Sequence, residues 1–257
     1  AVDRAQGFVL LEDFGTTSLL SEVRKPGRAE TLYPRALAAI ADLQAHGAAA
    51  ARQLAPYDAA VLQREMALLP EWFCTRHLAR EPDVEERELF ARTFDFLVDA
   101  ALEQPQVFVH RDYHSRNLMY TSPNPGVLDF QDAVYGPITY DVASLMRDAF
   151  VSWPEQQELD WVIRYWERAK AAGLPVNADF AEFWREFEWM GLQRHIKVLG
   201  LFARINYRDG KPHYLNDLPR FIAYARKVAL RYRPLVPFAK LLDELEGNAP
   251  ADVGYTF

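Results

Sequence analysis

A single cysteine, Cys74, leaves this chain of 257 residues no disulfide framework, and no run of about 18 uncharged apolar residues offers a membrane span. Basic excess is missing too. The net charge is −7, with lysines and arginines dispersed among acidic residues, so the positive footprint of a nucleic-acid binder is absent. These absences argue against a disulfide-stapled module, a membrane protein and a nucleic-acid partner, and they suit a reducing, cytoplasmic setting. The opening stretch, AVDRAQGFVLLEDFG, lacks a basic segment ahead of an apolar one, so it does not read as a secretory leader. It reads as the inside of a domain, with GFVLLED an apolar-centred strand that earlier strands should precede.

What is present is a globular balance, half apolar and a quarter charged, in a chain long enough for one large domain or two lobes with a shared boundary. Pro26 and Gly27 mark a turn, after which helical periodicity dominates. TLYPRALAAIADLQAHG places Leu32, Ala36, Ala39, Ile40 and Leu43 on one stripe. Asp58 is positioned to cap a helix carrying Leu62, Met66 and Leu69, which Pro70 should interrupt. Leu89, Phe90, Phe94, Leu97 and Val98 form the inner face of another. Cys74 lies in an apolar helical stretch, the setting of an inert buried thiol. The period changes in the middle: QVFVHRD, NLMYT and GVLDF read as short strands, the last two joined by SPNPG as a hairpin. Four or five further helices follow, beginning at TYDVASLMRDAF.

The segment HRDYHSRNLMY, residues 110–120, admits two chemistries. On an extended strand, His110, Asp112 and His114 would share one face and could cradle a metal. That reading needs further ligands, and His77, His195 and His213 stand in contexts without ligand spacing. The alternative takes Asp112 as the carboxylate that orients an acceptor hydroxyl, with Asn117 and Asp129 as oxygen donors for a cation against phosphates. A hairpin between NLMYT and GVLDF would bring Asn117 to Asp129. Asp and Asn are also common turn formers, so any one of them alone would be unremarkable.

HRDYHSRNLM followed by GVLDFQDAVYGPITYDVASL resembles the catalytic and metal-binding motifs of the aminoglycoside phosphotransferase family, whose members share the protein-kinase fold. The resemblance implies a two-lobed α+β fold with a helix-rich C-lobe, and the cofactors ATP and Mg2+. It implies that residues 1–20 are the end of the N-lobe sheet and the hinge, and that residues 21–257 are the C-lobe, with catalytic loop 110–117 and metal loop 127–132. By position, Asp112 matches the catalytic base, while Asn117 and Asp129 match the magnesium ligands. Backbone groups of Glu12, Asp13 and Phe14 match the adenine-holding hinge, and His110 matches a loop support. The glycine-rich loop, strand lysine and helix glutamate of that fold are not identifiable; Lys25, the first lysine, follows the hinge. The resemblance therefore implies roughly 80 to 100 further N-terminal residues, by usual domain sizes.

REMALLPEWF, LDFQDAVYGPITYD and QRHIKVLGLFARINYRDGK resemble more narrowly the amino-sugar kinases of bacterial cell-wall recycling within that family. That implies a small amino-sugar acceptor phosphorylated at its C1 hydroxyl. Candidates for touching it are Arg111, Tyr113, His114, Glu65, Arg194 and His195, with Arg116, Lys197 and Arg204 as further cations able to meet an anion. Trp72 and Trp153 could stack on a sugar, although aromatics at helical spacing are usually core. Asp141, opening YDVASL, reads as a helix cap. An aminoglycoside, choline-like or homoserine-like acceptor, or a pseudokinase that only binds, are the competing readings.

Overall fold

Helical periodicity governs most of the chain, and the computed structural model, which describes residues 1–123 and 125–247, turns it into ten α-helices, a π-helix and three small antiparallel strand pairs among those residues. The first pair is β1 (Val2–Asp3) with β2 (Phe8–Val9). The expected strand GFVLLED is thus cut to two residues. Gly7, at φ +72°, makes the turn; Leu10 still exchanges backbone hydrogen bonds with Ala1, and Leu10 and Leu11 leave 75% and 73% of their surface exposed.

Ser18 caps α1 (Leu19–Val23), accepting the Ser21 N–H at 3.2 Å. Next come α2 (Ala29–His46), α3 (Ala48–Ala51) and α4 (Ala59–Met66), the last capped as expected by Asp58, which accepts the Val61 N–H. Pro70 does not end the helical path. The chain widens into a π-helix over Leu69–His77, with Pro70 in its first turn, where a missing N–H removes no hydrogen bond. α5 (Val84–Glu103) starts with a reciprocal capping box between Asp83 and Glu86.

The β element then carries the site. β3 (Gln106–Val109) pairs with β6 (Val134–Pro137), a strand not anticipated from AVYGPI. β4 (Leu118–Met119) pairs with β5 (Gly126–Val127), the expected hairpin; Asn124 of its connection lies outside the described residues, as do 248–257 of the expected C-lobe. Gly126 has no room for a side chain: a Cβ there would sit 2.9 Å from the Phe14 ring, so glycine lets Phe14 lie over the hairpin.

The remainder is α6 (Tyr140–Met146), α7 (Glu155–Ala171), the 30-residue α8 (Phe180–Asp209), α9 (Leu218–Arg231) and α10 (Val236–Leu245). Two apolar clusters form the core. One gathers α4, α5, α8, α9 and α10 with β3 and includes Tyr140; the other gathers α1, α2, α6 and α7 and includes Tyr113 and Leu118. Each fully buried large apolar side chain contributes about 1.5–3 kcal/mol. Loop 110–117 therefore runs along the seam between the clusters, fixed from both sides. α8 approaches the chain between α4 and the π-helix at Gly200, where an added Cβ would lie 2.2 Å from the carbonyl carbon of Leu68.

Candidate active site

The loop owes its shape to two carboxylates outside it. Asp141 of α6 is buried, and its oxygens accept the backbone N–H groups of His110 at 2.7 Å and Arg111 at 3.0 Å. Arg111 sits at φ +73°, a left-handed conformation that a non-glycine residue adopts at a cost of about 1–3 kcal/mol unless its surroundings impose it. Burial pushes the Asp141 carboxyl up to about 7, against the pull of those two N–H groups. The helix-cap assignment for Asp141 is corrected: Thr139 precedes α6 without a side-chain cap, and Asp141 instead braces the loop. Asp148, also buried, accepts the Ser115 N–H at 3.0 Å, the Ser115 hydroxyl at 2.5 Å and the Phe150 N–H at 3.1 Å. Sequence reading passed over Asp148; a lone acid inside the apolar stretch SLMRDAF is the signal it left.

Between these braces Asp112 is half-buried, and its carboxylate has no hydrogen-bond partner among the described residues. Its backbone oxygen accepts Asn117 Nδ2 at 3.0 Å. The same Nδ2 reaches Asp129 Oδ2 at 3.2 Å, and the Leu128 N–H donates to the Asn117 carbonyl at 2.9 Å across the hairpin. Asp129, exposed and at φ +65°, accepts Gln131 Nε2 at 2.7 Å. The hairpin thus joins Asn117 to Asp129 as anticipated, with Asp112 beside them.

Magnesium takes hard oxygen ligands and seldom a complete cage of protein groups. The donors here fit that demand: the Asn117 amide nitrogen is engaged by Asp112 and Asp129, which leaves its oxygen free of donors among the described residues, and the Asp129 carboxylate faces solvent. Among the described residues no group of three or more His, Cys, Asp or Glu side chains could hold a metal, so the His110–Asp112–His114 cradle does not form. His110 is buried, with Nε2 2.8 Å from the Leu128 carbonyl, tying the loop to the metal strand.

Two adjoining cavities share Asp112, Lys197 and Leu201. The larger, about 360 Å³, is lined by Asn117, Asp129, Asp112 and His114, by a wall of α8 side chains, among them Arg194, Val198 and Phe202, and by Phe150 and Tyr214. The second, about 320 Å³, is lined by Arg64, Glu65, Arg111, Asp132 and Arg204. Between them Glu65 is an electrostatic hub. It meets Arg111 Nη2 at 2.5 Å and Lys197 Nζ at 2.9 Å, and accepts the Tyr57 hydroxyl. Burial pushes the Glu65 carboxyl up, but Lys197, Tyr57 and Arg111 outweigh it and hold the group below its ordinary value.

Of the expected acceptor contacts, His114, Arg194, Glu65 and Arg111 line these cavities, although the charge of Arg111 is taken up by Glu65. Tyr113 and His195 do not. Tyr113 is fully buried and donates its hydroxyl to the Ala36 carbonyl at 2.9 Å. His195 faces the core, stacked on Tyr224 at 5.1 Å, and burial drives its pKa well below the ordinary value. On α8, consecutive residues point about 100° apart, and here that rotation carries His195 into the core while Arg194 lines the cleft. Trp72 packs on the core and Trp153 against Tyr33 and Trp161. Glu12 and Asp13 are exposed and Phe14 half-buried; Asp13 accepts the Gly15 N–H at 2.8 Å.

With this geometry in view, comparison with known proteins is informative. Residues 3–180 match the model of the phosphotransferase enzyme family. The chain belongs to that family. Among its relatives, a protein of Neisseria meningitidis serogroup B named N-acetylmuramate/N-acetylglucosamine kinase is 49% identical over 257 residues, 99% of this phosphotransferase and 77% of the relative. Proteins of the same name from Pseudomonas aeruginosa and Pseudomonas putida are 49% and 47% identical over 251 residues, each match covering 98% of this chain and 73% of the relative. No helix among the described residues is long and apolar enough to cross a membrane.

Proposed function

We propose that this phosphotransferase transfers the γ-phosphoryl group of ATP to the anomeric C1 hydroxyl of N-acetylmuramate or N-acetylglucosamine, a step in the recycling of peptidoglycan sugars. The observation that carries the reading is the unpartnered Asp112 carboxylate, which lines one cavity with the Asn117–Asp129 pair and a wall of α8 side chains. The names borne by relatives nearly half identical supply the acceptor.

Asp112 orients the acceptor hydroxyl and takes its proton as the oxygen attacks the γ-phosphorus and the bond to the departing ADP breaks. Asn117 and Asp129 hold magnesium, which supplies charge neutralisation on the phosphate oxygens when bound. Asp141 and Asp148 keep the loop from rearranging, so that the cost of orientation is met in folding and not at the moment of reaction. Residues 1–20 serve as sheet edge and hinge on the nucleotide side, with the backbone of Glu12 to Phe14 against adenine; residues 21–257 form the helical lobe of a two-lobed kinase-like fold.

The test is coupled ADP release with ATP and magnesium, comparing N-acetylmuramate, N-acetylglucosamine and kanamycin, with Asp112→Asn as the blank. Turnover of the amino sugars, lost in the variant, supports the reading. Turnover of kanamycin alone, or of none of the three, overturns it.

A further inference from the structure

The chain contains two buried arginines among the described residues, and they are treated differently. Arg147, 3% exposed, sits between Glu158 at 2.7 Å and Glu188 at 3.2 Å. Arg194, 6% exposed, forms no hydrogen bond or ion pair with any described residue, and its buried Nη1 has no partner. Only Nη1 is closed off, and no carboxylate bonds the group, although the buried Asp141 lies within electrostatic range of it; an arginine drawn this far into a protein without an ion pair is uncommon. This one lines the larger cavity together with Asp112, Asn117 and Asp129. Its neighbour one turn along α8, Lys197, is by contrast already bonded to Glu65 at 2.9 Å, a carboxylate it shares with Arg111.

We infer that Arg194 is the specificity residue for an acceptor bearing a carboxylate, and that it pairs with the lactyl carboxylate of N-acetylmuramate. The inference rests on the amino-sugar reading and deepens it. In an in-line phosphoryl transfer the acceptor and the leaving nucleotide lie on opposite sides of the transferred group. With Asn117 and Asp129 assigned to the phosphates, the α8 face of the same cavity is assigned to the acceptor. There Phe150 and Tyr214 offer ring faces and Arg194 offers a planar fork, the geometry that binds carboxylates through two parallel hydrogen bonds. N-acetylglucosamine lacks that carboxylate and would leave the guanidinium unpaired, so it is the poorer acceptor.

The experiment compares kcat/KM for the two sugars, and for the methyl ester of N-acetylmuramate, in the wild-type enzyme and in Arg194→Gln and Arg194→Lys. A desolvated charge-assisted pair predicts that Arg194→Gln lowers kcat/KM for N-acetylmuramate about 30- to 100-fold and leaves N-acetylglucosamine within a few-fold. Arg194→Lys restores part of the difference, and the ester behaves as a neutral sugar in the wild type. An equal loss on both sugars, or a rise confined to the KM for ATP, overturns the inference while leaving the amino-sugar reading intact. If Arg194→Gln does not fold, the ester decides: turnover equal to that of the free acid overturns it. Wild-type enzyme that phosphorylates neither sugar removes the reading itself.

Discussion

The stretch from 110 to 129 and the α8 wall face each other across one cleft, yet they are built on opposite plans. In the first, the reactive groups lie close in sequence, half-buried or exposed, and are joined by bonds that span at most 12 residues: Asn117 to Asp112, Asn117 to Asp129, Gln131 to Asp129. In the second, Lys197 meets Glu65, 132 residues away, while Arg194 has no bonded partner among the described residues. On the proposed function the difference separates two tasks. The local plan would serve the chemistry with few assumptions about the rest of the fold, whereas the helical wall would select the molecule offered to it.

That contrast can be broken experimentally. Asp112→Asn should lower kcat by about 10²- to 10⁴-fold with nucleotide affinity nearly intact, whereas Asp129→Ala should also weaken magnesium-nucleotide binding, both read by steady-state kinetics and nucleotide titration. Near-normal turnover of Asp112→Asn would remove the division. Next in size is Glu65→Ala, which strands Lys197 and the Tyr57 hydroxyl. It should cost about 3 kcal/mol in urea unfolding and raise the acceptor KM more than it lowers kcat.

Asp141→Asn tests whether the loop is imposed from below. An amide oxygen can satisfy one of the two N–H groups, so a loss of about 1–3 kcal/mol is expected. The pH dependence has a definite sign. The folded carboxyl is raised from its ordinary 3.8 to about 7, so the native state holds this proton more tightly than the unfolded chain does. Its contribution is complete below pH 3.8 and is lost as pH rises through about 7. The stability advantage of wild type over Asp141→Asn should therefore shrink between pH 5 and pH 8 in paired denaturation curves; an advantage that grows would refute the assignment. The smallest effect belongs to Cys74, fully buried, with its thiol pushed up to about 12 by burial. Aromatic disulfide reagents should leave it untouched until the protein unfolds, and Cys74→Ala should leave turnover unchanged.

Legibility followed the same division. The meeting of Asn117 with Asp129 could be read from the chain because it depends on one hairpin, and the Asp58 cap and the α5 face because caps and stripes are local. The wall was only half legible: spacing nominated Arg194 and His195 together, and only their packing, one into the cleft and the other into the core, separates them. Tyr113 was misread for a related reason, since loop position does not reveal that its hydroxyl reaches Ala36 in α2. Asp141 was recognised as important to its helix but not to the loop, because the loop's N–H groups come from residues 30 positions earlier. The widening at Pro70 reflects tertiary packing overriding a local breaker.

Gly200 adds a constraint on how such an enzyme can diversify. With the Leu68 backbone pressed where a side chain would begin, α8 has a hard stop on that flank. Acceptor choice in descendants of this scaffold is then changed by exchanging the residues that project from the helix into the cleft, Arg194 first among them, more readily than by sliding the helix itself.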